Sequence, residues 1–160
     1  MNTNGTLNAL AAAAAVGAMF VATQAIAAKD SGVLRLPTGE SPLLAYSWGA
    51  SQSGSIGGGG GGGGVGKVSV QDLNVSRATD PASPQIFKTL ALGQVLPFVE
   101  LETGTIKFRL ENVFVSSYNT GGSLGDKAAQ TDNVSFTFGK ITYTVGGIST
   151  CFDISMNRAC

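Results

Sequence analysis

A chain of 160 residues with ten Lys+Arg, ten Asp+Glu and no histidine fits a single domain of balanced charge. The even charge argues against an electrostatic nucleic-acid binder. The missing histidine removes Ser-His-Asp and Cys-His nucleophile arrangements and imidazole metal ligation. The acids are scattered singly, and Glu100 and Glu102 fall on one strand face with no evident partner. No catalytic, cofactor-binding or metal-binding residue is therefore assigned.

Residues 1–28 contain no charged side chain, and Ala25-Ile26-Ala27 has the small-x-small form of a signal peptidase site. Cleavage between Ala27 and Ala28 is the expectation, leaving a domain over 28–160 that acts in the periplasm or outside the cell. The n-region has no Lys or Arg beyond the terminal amine. An uncleaved anchor would touch a membrane only through this leader, and needs about 20 apolar residues. Thr23-Gln24 interrupt the alanine-rich run.

Past the leader the pattern is mostly β. Val33–Leu36 reads as a short strand ended by Pro37-Thr38-Gly39, and Leu43–Gln52 as a second, with Tyr46 and Trp48 on one face as packing residues. Eight glycines, Gly57–Gly64, then lead into Val65-Gly66-Lys67. Counted from Gly61 this is G-x-x-x-x-G-K, one residue short of a P-loop. A P-loop needs a Ser or Thr after the lysine and a helix beyond it. Here Val68 follows, and Val68-Ser69-Val70-Gln71 alternates with the period of a strand. The tract is read as a loop before a third strand, Val65–Ser76.

Ser83-Pro84 predicts the cap and first residue of one short helix, with Ile86, Phe87, Leu90 and Ala91 on its buried face and Gly93 as its stop. Strands follow at Val95–Leu101, Thr105–Ser117 and Asn133–Val145, and a last one includes Cys151–Ile154. Apolar residues change phase from Val134, Phe136 and Phe138 to Ile141, Tyr143 and Val145, and from Val68/Val70 to Leu73/Val75. A switch at Gly139-Lys140 predicts a bulge, where a strand bends. Bent strands favour a barrel or sandwich over a flat sheet. Cys151 and Cys160 are the only cysteines. Paired, they close a ten-residue loop worth roughly 2.5 kcal/mol; two unrelated thiols are the other reading.

Several segments resemble, in order, the haemolysin-coregulated protein family, the tube subunits of type VI secretion. Residues 44–52, LAYSWGASQ, are similar to its LSYSWGVSQ-type segment, and 66–73, GKVSVQDL, to its GKVxxQDF strand. Residues 80–84, DPASP, match its helix entry; 110–117, LENVFVSS, and 134–141, VSFTFGKI, match two later strands. Residues 152–157, FDISMN, resemble the closing WDLxxN. The resemblance spans roughly residues 33–158. It implies a β-barrel of two sheets with one short helix, a non-enzymatic structural role, and homohexameric rings that stack into a tube. It further implies that Ile56, Gly57, Gly64, Val65 and Lys67 frame a ring-stacking loop. Type VI secretion components or cargo become expected partners, and nucleic acid does not. The apparent leader, the short stretch from Gly39 to Leu43 and the bare polyglycine loop differ from the family pattern. A working tube component or secreted effector with an uncleaved N-terminus, cytoplasmic before secretion, is the alternative; a monomeric exported binding module is the third reading.

Overall fold

The structure, a computed structural model, describes residues 32–54, 65–125 and 129–160. The described residues form ten strands, most of them set by alternating side chains: β1 (Gly32–Leu36), β2 (Gly39–Ser47), β3 (Ala50–Gly54), β4 (Val65–Val70) and β5 (Leu73–Ala78) precede the helix α1 (Ser83–Ala91). After it come β6 (Val95–Thr103), β7 (Ile106–Gly122), β8 (Gln130–Val145), β9 (Ile148–Asp153) and β10 (Arg158–Ala159). Strands β8, β5, β2, β1, β6 and β7 lie side by side, and β7 pairs again with β8, so these six close a barrel. Every pairing is antiparallel; β9 and β10 extend from β8 outside the ring, and β3 and β4 form a separate hairpin.

The core is what the period-two pattern directs inward. Leu34, Leu73, Val99, Leu101, Leu110, Val113, Val134 and Phe136 are fully enclosed. Phe108 stacks on Tyr143 at 4.7 Å and meets Tyr46 and Trp48, each at 5.7 Å, so both expected packing residues lie against the core.

Three local readings are corrected. The long second and third strands are each two strands: the chain leaves the barrel at Trp48-Gly49 and re-enters at Gln71-Asp72. The Gln71 N–H donates to the Gly49 carbonyl at 2.9 Å, fixing this junction. No register shift occurs at Gly139-Lys140. Leu110 faces Ile141 and Val113 faces Phe138, four buried residues in one continuous register. Both strands turn over together, with Asn112 at a φ of 53° between the two pairs. The bulge in this ladder lies instead between Val115 and Ser117.

The helix also differs at its start. Ala82 occupies the cap position with no side-chain cap bond, and Ser83 is the first helical residue. Its hydroxyl is engaged elsewhere, as described below. Ser83, Ile86 and Thr89 face inward, Leu90 is half-buried, and Phe87 and Ala91 point outward. Gly93 does end the helix: at a φ of 59° it sits between Gly93 N–H to Leu90 O and Gln94 N–H to Thr89 O, both 3.0 Å.

Candidate assembly surfaces and the buried polar clamp

One polar cluster joins the helix to the barrel. In β5 the inward phase runs Leu73, Val75, Arg77, and in β8 it runs Asp132, Val134, Phe136. The alternation therefore sends a cation and an anion into the interior. Arg77 and Asp132 are both fully buried and 3.4 Å apart, and Arg77 also pairs with Asp80 in the loop before α1. Asp132 accepts from Thr79 Oγ1 at 2.9 Å and from Ser83 Oγ, while Asp80 accepts from Ser41 Oγ and the Ala82 N–H, each at 2.7 Å. The Asp80 N–H returns to Ser83 Oγ at 3.1 Å. β2, β5, β8 and α1 are thereby tied at one point.

The electrostatics follow from these partners. Burial alone would raise the Asp132 carboxyl, but hydrogen bonds from Ser83, Thr79, Thr120 and Tyr118 hold it below the usual carboxylate range. Asp80 is likewise raised by burial, yet held low by Arg77, Ser41 and the Ala82 amide. Burial, then the Asp132 charge beside it, pushes the Tyr118 hydroxyl up. Carboxyls depressed in the folded state contribute stability above their unfolded pKa and lose it as pH falls through the folded value. Thermal melts should therefore hold steady above about pH 5 and drop progressively below about pH 4. Asp132→Asn should flatten part of that acid slope. An unchanged slope in this variant would remove Asp132 from the account.

The outer surface has two chemistries. Across β1, β2, β6, β7 and β8 runs a ladder of ion pairs: Arg35 with Glu40 at 2.8 Å and Glu102 at 2.6 Å, Glu100 with Arg109 at 2.5 Å, and Glu111 with Lys140 at 3.4 Å. Glu100 and Glu102 thus have cationic partners. Exposed pairs of this kind add little stability, and they leave few free charges on that face. Over β5 and β8 the face is hydroxyl and amide. Ser76 donates to Asn133 at 2.5 Å, Ser135 to Asn74 at 2.6 Å, and Thr137 to Asp72 at 2.8 Å.

The β3–β4 hairpin forms its own sheet, with half-buried Val70 at its end packed on the barrel core. All of β3 is exposed, and from Gly66 to Val70 no residue of β4 is more than half-buried. A Cβ on Gly66 would come within 2.1 Å of the Ser53 carbonyl oxygen, so the close approach of the two strands requires glycine there. Val65 opens β4 and Lys67 is exposed on it; Ile56 and Gly57–Gly64 lie outside the described residues. So do Ala27 and Ala28. The segment after the glycine tract is a strand, where a phosphate cradle needs a helix. At the C-terminus, Cys151 and Cys160 meet with Cα atoms 5.3 Å apart, within the span of a disulfide.

Other exposed apolar side chains flank α1. Val95 and Phe114 are cross-strand partners and remain 52% and 44% exposed, and Phe87 is 54% exposed. Among the described residues no group of three His, Cys, Asp or Glu could hold a metal ion, and no helix is long and apolar enough to cross a membrane.

The fold is a closed six-stranded β-barrel with one flanking helix and a separate two-stranded hairpin. The sequence profile of the family described as "Type VI secretion system effector, Hcp" matches residues 37–145. The chain belongs to the Hcp family, structural tube proteins of type VI secretion. Its fold is similar to a type six secretion system protein, with a TM-score of 0.73 and 20% identity over 82% of this chain and 99% of that one. Hcp1 from Salmonella typhimurium gives 0.68 and 22% identity over 81% and 98%. A type VI secretion system effector from Yersinia pestis gives 0.63 and 20% identity over 76% and 98%. At these identities the likeness is one of fold. No curated protein matches the sequence.

Proposed function

We propose that this chain is a non-enzymatic, ring- and tube-forming subunit that assembles as homohexamers stacked end to end. It acts outside the cytoplasm after residues 1–27 are removed, with Cys151 and Cys160 joined. Other type VI secretion components, or a cargo, are its further partners. Family membership supports the reading. The observation that carries it is the β3–β4 hairpin, which leaves the barrel with no fully buried side chain from Ala50 to Gly54 or from Gly66 to Val70. A two-stranded hairpin is marginal by itself in water. Seated on a neighbouring subunit it would bury the surface it exposes here. The exposed cross-strand pair Val95 and Phe114, and Phe87 on the helix, offer further apolar contacts. Heterologous contacts of this kind close a ring when the rotation between neighbours fits.

The glycine tract supplies the test. Eight glycines add reach without side-chain contacts, and ordering each would cost about 1–2 kcal/mol of backbone entropy. Contact between rings must then come from the flanking Ile56, Val65 and Lys67 or from backbone pairing. Cutting residues 57–64 to two glycines should leave the subunit fold and the ring intact while altering end-to-end association, as seen by electron microscopy. Lys67→Ala should change no nucleotide affinity. Unaltered stacking in the shortened chain would remove the loop from the assembly, and saturable ATP binding lost with Lys67→Ala would make the tract a P-loop.

A further inference from the structure

The last strand has little besides sulfur to hold it. β10 is two residues long and pairs only with Phe152 and Asp153. Arg158, Ala159 and Cys160 are all exposed, so they bury no apolar surface to offset their ordering. One more backbone bond, from the Cys160 N–H to the Cys151 carbonyl, measures 3.3 Å. β9 is anchored independently. Six consecutive residues, Ile148 to Asp153, pair with β8 on its other edge. Phe152 and Ile154 pack on the core, and the Ile154 N–H donates to the Gly139 carbonyl at 2.9 Å. The Asp153 carboxylate organises the turn between the strands, accepting from Ser155 Oγ at 2.6 Å and from the Met156 N–H at 2.9 Å. The pair Cys151 and Cys160 therefore spans the joint between a firmly held strand and a weakly held one.

We propose that this pair is a redox latch on the outer edge of β9. The inference rests on the joining of the two cysteines proposed above. With the bond closed, β10 covers the backbone of Cys151, Phe152 and Asp153. Opening needs a dithiol reductant. Its thiolate attacks Sγ of Cys160, the exposed member of the pair, and the half-buried Cys151 leaves as a thiolate. The second thiol of the reductant then displaces Cys160 from the mixed disulfide. Two electrons pass to the protein, two protons from the dithiol end on the two cysteines, and the reductant becomes a cyclic disulfide. Residues 158–160 are released, and the N–H and C=O groups they covered become a free sheet edge, open to pairing with another strand. The β8–β9 ladder lies on the opposite edge and is untouched. In an oxidising compartment the edge is closed; in a reducing one the same chain carries it open.

Hydrogen exchange on the purified full chain, before and after treatment with dithiothreitol, tests the latch. The reduced protein should exchange the amides of residues 158–160 about tenfold or more faster, with Ile154 and residues 140–145 of β8 unchanged. Cys160→Ser should match the reduced protein and ignore the reductant. Equal exchange in both forms would overturn the proposal, because β10 would then be held without the bond. Loss of protection in β8 as well would overturn it too, since the bond would then staple the whole sheet. So would two reactive thiols in the non-reduced, denatured protein taken from an oxidising compartment. The mass of the assembly, recorded on the same samples, reads the ring separately: a failed latch leaves it at six subunits, whereas a failed ring reading does not alter the exchange result.

Discussion

Replacing Arg77 with methionine is expected to destabilise the barrel by about 3–5 kcal/mol, because it leaves a buried charge without its partner. Methionine keeps much of the volume but strands Asp132, which is fully buried, beside Asp80. The hydroxyl donors Thr79 and Ser83 remain on Asp132 and place the loss toward the lower end of that range. The same variant should unfold at higher pH in acid, because the carboxyls lose the cation that favours their charged form. Arg77→Lys keeps the charge but loses the planar fork, and should fall between the two. Denaturant unfolding at pH 7 reads these values, with an unchanged slope marking an effect on the folded state. A loss below about 1 kcal/mol for Arg77→Met would show that the cluster contributes no more than a solvent-exposed ion pair does.

Phe108→Ala should cost a similar amount, about 3–5 kcal/mol, for a different reason. Phe108 is 3% exposed and touches the rings of Tyr46, Trp48 and Tyr143, so its removal opens a cavity that three strands cannot easily fill. Phe108→Leu should cost less than about 1.5 kcal/mol. Trp48 is the only tryptophan, so its fluorescence reports this cluster directly. The alanine variant should shift the emission to the red as water reaches the indole. Unchanged emission together with unchanged stability would separate Trp48 from the core.

How much of this was legible in the sequence depends on whether side-chain period alone decided the outcome. Leu34 and Leu36, Phe108 and Leu110, and Val134, Phe136 and Phe138 alternate, and all are buried as that alternation requires. Gly93 stops the helix because a left-handed residue is needed there, and glycine adopts that conformation without a Cβ penalty. The breaks at Trp48-Gly49 and Gln71-Asp72 were not legible, since each is fixed by pairing with the other, a contact between distant residues. The turnover of β7 against β8 was visible only as a phase change in one strand. Its cause, Asn112 in a left-handed conformation opposite that strand, depends on the fold.

The buried helix face keeps Ile86 and Leu90 but departs from the amphipathic pattern elsewhere: Ser83 and Thr89 point inward while Phe87 points out, lying 6.1 Å from Tyr118. Tertiary hydrogen bonding to Asp132 outweighs the amphipathic pattern at that end. The clamp itself leaves a readable signal in the sequence. Arg77 and Asp132 each occupy the inward phase of an apolar strand, and opposite charges in such positions need each other. Assembly surfaces leave a weaker trace, since exposed Phe87, Val95 and Phe114 look like core residues until the barrel shows which way they point.

Native mass spectrometry of the protein purified from its own compartment, at micromolar concentration, addresses the central claim most directly. The expected species has six times the mass of a protomer that begins at Ala28. A population consisting only of monomers under those conditions would contradict a ring-forming subunit.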